Sequence, residues 1–368
     1  MKSRFFGGLL GTIVSIFCGI TAVQAQVKVG VAGPMSGQYS WFGEQMERGA
    51  ELAVEDLNAN GGVLGEEVEL IVGDDACDPK QAVAVAKQFI AEGVTFVAGH
   101  WCSSSSIPAA KLYGKAGILM ITPASTNPKL TDEGGANVFR LSGRDDEQGV
   151  VAGNYLAENW GAKKIAFLHD GTTYGKDLAD ATRKQLKKRG VTEAMYESFA
   201  PGQESYFAIV SKMKDEDIDV FYLGGYSTEA ALMIRQARDI GYEVQLVSGD
   251  ALTSEEFGMV AGDAAEGTLI TFFPDARNYP EAKDVVAKFR EDDYEPEGYT
   301  LQTYAAIQTW LQAATTAGSL DLDKMIKALH RTEFQTVFGT FKFNENGDMT
   351  APGFVWYTFE DGSYEPLE

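Results

Sequence analysis

From residue 27 onward, short apolar runs alternate with longer stretches of helical periodicity, and that alternation constrains the fold more than any other feature of the chain. Val27-Lys28-Val29-Gly30-Val31-Ala32 reads as a buried strand. Met46, Ala50, Ala53, Val54 and Leu57 then share one helical face, which ends at Asn60-Gly61-Gly62. Strands over 68–72, 95–98 and 117–121, a helix over 80–91 and a helical stretch over 107–115 continue the series. A second series follows Arg140: helix 146–160, strand 164–168, helix 174–189, strand 219–223, helix 228–240 and strand 244–248. Repeated strand–helix units bury parallel sheets between helices, so the fold class is α/β, doubly wound, in two similar lobes. In the tail, 280–292, 299–317 and 322–329 predict helices, and 339–343 and 354–359 late antiparallel strands. The helices are expected to cover the first lobe while the last strands return to the second.

Residues 1–25 are of another kind. Lys2 and Arg4 precede an apolar run from Phe5 to Val23, and Val23-Gln24-Ala25 places small residues for cleavage before Gln26. This reads as a secretory signal peptide, and its loss, with Lys2 and Arg4, takes the formal net charge from −22 to −24. Such acidity excludes nucleic acid and anionic membrane surfaces as partners. Cys18 would leave with the peptide, so Cys77 and Cys102 remain in an exported chain, where a disulfide between them is expected. The competing reading is a nucleophilic Cys102 beside His100, as in a periplasmic Cys/Ser hydrolase. Asp74, Asp75 and Asp78 lack calcium-loop spacing and read as a solvated turn and a helix N-cap, so no metal and no cofactor is expected. Phosphate-loop, nucleophile-elbow and His-Glu-x-x-His patterns are all absent.

Two segments carry chemistry. His100-Trp101-Cys102-Ser103-Ser104-Ser105-Ser106 and Thr122-Pro123-Ala124-Ser125-Thr126 each lie where an apolar strand gives way to polar turn residues. The serines of the first sit at a helix N-terminus, whose unpaired N–H groups suit a carboxylate. Together the segments read as two halves of a site for a small zwitterion.

Val29-Gly30-Val31-Ala32-Gly33-Pro34-Met35-Ser36-Gly37, Asp74 to Ala82, Gly99 to Ser104 and Met120-Ile121-Thr122-Pro123-Ala124, in this order, resemble the periplasmic leucine/isoleucine/valine-binding proteins of branched-chain amino-acid ABC importers. The likeness continues through Tyr174-Gly175, Gly224-Gly225-Tyr226 and Ile234 to Arg238. The resemblance implies a type I periplasmic binding fold: two Rossmann-like lobes, 26–144 with 275–350 and 145–274 with 351–368, joined by three hinge strands. It also implies a Cys77–Cys102 disulfide. Ser103 and Thr126 would hold a ligand carboxylate, the Ala124 carbonyl and Thr126 hydroxyl would accept from its ammonium, and Asp250 on the second lobe would supply the counter-charge. Aromatic residues Phe42, Trp101, Tyr174, Tyr226 and Tyr299, with Cys102, would shape the pocket.

The implied function is non-enzymatic: a monomeric periplasmic receptor that captures a free branched-chain amino acid and delivers it to an inner-membrane ABC permease. The same fold tuned to an amide, a γ-amino acid or an aromatic metabolite is the nearer alternative. Three departures from the family pattern fall in the pocket. Trp101 replaces a smaller aliphatic residue, Phe42 a tyrosine and Asp250 a glutamate. A tryptophan narrows the pocket toward small aliphatic ligands or offers a face to an aromatic one.

Overall fold

In the computed structural model, which describes residues 26–350 and 353–367, the strands β1 (Val27–Gly33), β2 (Val68–Asp74), β3 (Phe96–Gly99), β4 (Leu119–Thr122) and β5 (Val138–Arg140) form a parallel sheet in the order β2-β1-β3-β4-β5. The expected signal peptide, with Cys18, lies outside the described residues. A second sheet runs through β6 (Ile165–His169), β7 (Met195–Ser198), β8 (Val220–Gly224), β9 (Gln245–Ser248) and β10 (Leu269–Phe272). The hairpin β11 (Phe334–Thr336) and β12 (Gly339–Phe341) stands apart, whereas β13 (Val355–Glu360) and β14 (Ser363–Pro366) extend the second sheet to the order β14-β13-β10-β9-β8-β6-β7. Only β13 is reversed there, pairing antiparallel with both β10 and β14.

Helices fill the crossovers: α1 (Ser40–Ala59), α2 (Pro79–Glu92), α3 (Ser103–Ala116) and the short α4 (Lys129–Glu133) belong to the five-stranded lobe. In the seven-stranded lobe come α5 (Asp145–Trp160), α6 (Thr173–Lys188), α7 (Phe207–Asp215), α8 (Ser227–Asp239) and α9 (Glu255–Ala261). Then α10 (Lys283–Glu291), α11 (Thr300–Ala317) and α12 (Leu322–Arg331) follow. The amphipathic spacing explains the packing: Met46, Ala50, Ala53, Val54 and Leu57 of α1 are all buried, and Trp310 of α11 stacks on Phe96 of β3 with ring centroids 5.2 Å apart. The tail helices thus cover the first sheet, and the last strands return to the second. Asp78 caps α2 by accepting from the Lys80 and Gln81 N–H groups, each at 2.8 Å. No helix among the described residues is long and apolar enough to cross a membrane.

Sequence periodicity misses β5, β7, β10, β11 and β14, which are three or four residues long and show little alternation. It also extends β4 back to Gly117, which instead ends α3 in the left-handed conformation. The chain passes between the sheets after β5, after β10 and before β13. These crossings lie side by side: the Phe273 and Phe354 rings are 4.9 Å apart, and a Cβ on Gly143 would come within 2.5 Å of Phe354 and 3.1 Å of Phe273. Only glycine fits where three strands of chain converge.

Candidate functional site

Parallel sheets gather ligands at the carboxyl ends of their strands, because the loops and helix N-termini that follow open there. Here five such ends meet across the two sheets. Trp101 and Ser103 follow β3, Ala124 and Thr126 follow β4, Tyr174 follows β6, Tyr226 follows β8 and Asp250 follows β9. With Ser125, Ala251 and Tyr299 they line one small cavity. Eight of the ten residues named from the sequence are therefore brought together. Phe42 and Cys102 are corrections, because neither lines the cavity. Phe42 stands behind its wall, stacked on Trp101 at 4.2 Å, and Cys102 is turned into a disulfide with Cys77, Cα atoms 5.6 Å apart.

The first half of the site is built by hydrogen bonding between the two loops. The Thr122 hydroxyl donates to the His100 carbonyl at 2.8 Å and accepts from the Ala124 and Ser125 N–H groups. Ser125 Oγ reaches the Trp101 carbonyl at 2.8 Å, and the Asn127 N–H donates to Ser103 Oγ. These bonds hold the first turn of α3 against residues 124–127. Ser103 opens that 14-residue helix and is 2% exposed, so its hydroxyl and the N–H groups that begin the turn are placed as buried donors of a kind that suits an anion.

On the facing side, Asp250 is 2% exposed. It accepts from Tyr174 Oη at 3.0 Å and from Tyr299 Oη at 2.7 Å, one tyrosine per carboxylate oxygen. Burial raises its pKa, and the hydroxyl bonds pull it back. Tyr174 and Tyr226 stand 5.2 Å apart because α6 rides directly on β8: a Cβ on Gly224 would come within 1.9 Å of the Gly175 carbonyl. Trp101 closes the box, 5.3 Å from Tyr226 and edge-on to Tyr299 at 5.7 Å.

His100 does not act on Cys102. Its Nδ1 lies 2.5 Å from Asp75 and its Nε2 3.0 Å from Tyr113 Oη, fully buried, so both ring nitrogens are committed. With its sulfur bonded to Cys77, Cys102 offers no thiolate to His100.

Sequence reading missed the clamp at the cleft mouth. Gln38 Nε2 and Tyr39 Oη both donate to Glu229 from across the cleft, at 2.8 Å and about 3.2 Å, and the Tyr39 and Tyr226 rings lie 4.6 Å apart. The only cue was an aromatic residue just after the Gly37 turn. Asp170 lies close by, its Oδ1 accepting from the Thr172 N–H and hydroxyl while, among the described residues, its buried Oδ2 has no partner. Burial pushes its pKa up to about 6. A carboxyl raised above its unfolded value of about 3.9 binds a proton on folding. Its stabilising effect is therefore present at low pH, and is lost as pH rises from about 4 through 6. Asp170→Asn keeps the Oδ1 acceptor and removes the charge. It should unfold at higher denaturant than the parent at pH 8, by roughly 2–3 kcal/mol, with the gap closing by pH 4. Urea titrations at the two pH values measure it.

The periplasmic binding protein family profile matches residues 26–362. A Leu/Ile/Val-binding protein homolog 1 of Brucella suis biovar 1 is 43% identical over 372 residues, covering 100% of both chains. The crystal structure of a leucine-binding protein, LivK, of Thermotoga maritima superimposes with a TM-score of 0.86 at 30% identity, covering 93% of this chain and 98% of that one. The branched-chain amino acid transporter substrate-binding protein LivJ of Streptococcus pneumoniae, in complex with isoleucine, gives 0.82 at 25% identity over 93% and 98%. Two α/β sheets joined by three crossings, a cavity between their carboxyl edges and full-length identity to such relatives have one reading: the chain belongs to the periplasmic binding protein family, with the type I fold of its leucine/isoleucine/valine-binding members.

Proposed function

We propose that the protein is a periplasmic receptor that captures one aliphatic α-amino acid, valine, leucine or isoleucine, between its lobes and presents it to an inner-membrane ABC permease. The observation that carries this reading is the division of charge across the cleft. The α3 N-terminus, Ser103 and Thr126 offer donors to a carboxylate from one lobe, and Asp250 offers a buried anion to an ammonium from the other. A buried zwitterion needs both charges matched, and only the shut cleft matches both. Ligand therefore favours closure through its higher affinity for the closed state. The Ala124 carbonyl and the Thr126 hydroxyl complete the ammonium site, and the rings of Trp101, Tyr174, Tyr226 and Tyr299 enclose the side chain.

Isoleucine in the pneumococcal relative and leucine in the name of the Thermotoga protein support the branched-chain class. In this reading 1–25 is a cleaved signal peptide, lobe 1 comprises 26–144 and 275–350, and lobe 2 comprises 145–274 and 351–368. The receptor works as a monomer, because one chain completes the cavity. The reading is non-enzymatic, and the Cys77–Cys102 disulfide, which leaves Cys102 no thiolate, supports it over a cysteine hydrolase.

A thermal-shift panel on refolded, ligand-stripped mature protein tests the assignment, with the twenty amino acids, γ-aminobutyrate, small amides, an aromatic acid and a polyol. A ligand at about 100 times its dissociation constant adds roughly 2.7 kcal/mol to the native state. The melting temperature should rise with valine, leucine or isoleucine. No rise with any α-amino acid would remove the zwitterion reading and leave another small ligand on the same fold.

A further inference from the structure

Glu229 is a carboxylate buried at the cleft mouth among neutral donors. It lies in the first turn of α8, three residues after Tyr226, and is 1% exposed. From its own lobe the Gly202 N–H donates to it at 3.0 Å. The other donors come from the five-stranded lobe: Gln38 Nε2 at 2.8 Å, and Tyr39 Oη at 3.2 and 3.3 Å from the two carboxylate oxygens. The Thr228 hydroxyl returns a bond to the Gln38 carbonyl at 3.3 Å, so adjacent residues of each lobe grip the other in both directions. Burial, then the Glu229 charge, raises the pKa of the Tyr39 phenol, which keeps it a donor. None of Gln38, Tyr39 and Glu229 lines the ligand cavity. They meet behind two of its walls, the Tyr39 ring lying 4.6 Å from that of Tyr226 and 6.3 Å from that of Trp101.

Resting on the amino-acid reading above, we propose that Glu229 is a positioning residue that latches the cleft: through Gln38 and Tyr39 it holds the closed lobes together and seats the Tyr39 ring against Tyr226 and Trp101, and so sets how long a bound amino acid stays without touching it. Ligand enters the open cleft before the latch forms, so the latch acts on release and not on capture. Opening strips Glu229 of every donor but Gly202 and exchanges bonds to a charged acceptor, which are stronger than neutral ones, for water. Other contacts that cross the cleft lack this asymmetry. Glu297 accepts from the Glu255 N–H at 3.0 Å, but Trp41 and Gln45 on α1 donate to the same oxygen from its own side. Asp177 accepts from Lys129 at 2.7 Å and Asn127 at 3.0 Å, yet the Lys129 and Asp177 side chains are 51% and 31% exposed, so water screens that pair in the closed state too.

Stopped-flow fluorescence with leucine, with Trp101 in the cavity wall as the reporter, measures association and release separately. Tyr39→Phe combined with Gln38→Met removes both donors, keeps the ring and the side-chain bulk, and leaves the seven-stranded lobe untouched. It should speed leucine release by about tenfold or more, because bonds to a buried charge are lost from the closed state alone. Association should stay within about twofold of wild type. The ranking of valine, leucine and isoleucine should not change, since every cavity residue is retained. Glu229→Gln should also speed release, and Tyr39→Phe should add less on that background than on wild type, as partners in one network do. Lys129→Met should alter release by less than about threefold. Unchanged release in the Tyr39→Phe, Gln38→Met protein, affinity lost through slower association, or equally fast release in Lys129→Met would overturn the proposal while leaving the amino-acid reading intact. Full additivity of Tyr39→Phe and Glu229→Gln would overturn it as well, and if Glu229→Gln fails to fold the variants of the other lobe decide alone. Absence of any amino-acid binding to wild type would instead overturn the reading, and this proposal with it.

Discussion

Asp250→Asn is expected to weaken branched-chain amino-acid binding by about 10²–10³-fold or more. Removing one partner of a buried charge pair leaves the other desolvated and unmatched, which costs about 3–5 kcal/mol, and each 1.4 kcal/mol is a factor of ten. The substitution is nearly isosteric, and Tyr174 and Tyr299, which now donate to the carboxylate, can rotate their hydroxyls to meet an amide. Because burial raises the pKa of Asp250, its charge opposes folding at neutral pH, so the ligand-free variant should melt no lower than wild type. Titration calorimetry with leucine, paired with melting curves of the empty proteins, separates the two effects. A variant that binds normally, or one that loses affinity only because it unfolds, would remove Asp250 from the ammonium site. Asp250→Glu, which restores the family's longer carboxylate, tests reach: it should retain far more affinity than asparagine.

The alternation of strands and helices was legible because each buried parallel strand is a compact apolar run and each crossover helix keeps one apolar face. Five of the short strands, β5, β7, β10, β11 and β14, escaped. Phe334–Thr336 and Met195–Ser198 gain their strand character from a neighbour's backbone rather than from any period of their own. In the site, residues at strand ends were readable, since Ser103, Thr126, Tyr174, Tyr226 and Asp250 sit where strand gives way to turn. Phe42 was misplaced by the same logic: it lies on a helix that follows a strand, yet points at the back of Trp101. Contacts across the cleft, such as Gln38 and Tyr39 on Glu229, join residues about 190 positions apart and leave no local trace.

Arg140 shows how stability and site are joined, and its replacement should produce the largest structural effect in the chain. Its side chain is fully buried at the end of β5, where burial lowers its pKa and Asp348 offsets that with hydrogen bonds at 2.6 and 2.9 Å. Asp348 sits in the segment that leads to the third crossing, and burial, which would raise its carboxyl, is outweighed by Arg140, so its pKa falls below the usual value. The same guanidinium grips the Ser125 and Asn127 carbonyls, on either side of Thr126. Arg140→Ala leaves the Asp348 carboxylate with only the half-buried Arg144 for charge and takes one donor from each of two loop carbonyls, Ser125 keeping Ser142 Oγ and Asn127 the Leu130 N–H, so destabilisation of about 3–5 kcal/mol is expected. Arg140→Met with Asp348→Leu removes both charges and should recover much of that loss, as apolar replacement of buried ion pairs commonly does. It cannot restore the guanidinium bridge between the Ser125 and Asn127 carbonyls. The double variant should therefore regain melting temperature yet stay weak for leucine, because the loop carrying Thr126 is no longer held against α3. Recovery of both stability and affinity would mean that the loop is set by Ser103, Thr122 and Ser125 alone, and that Arg140 serves only to neutralise Asp348.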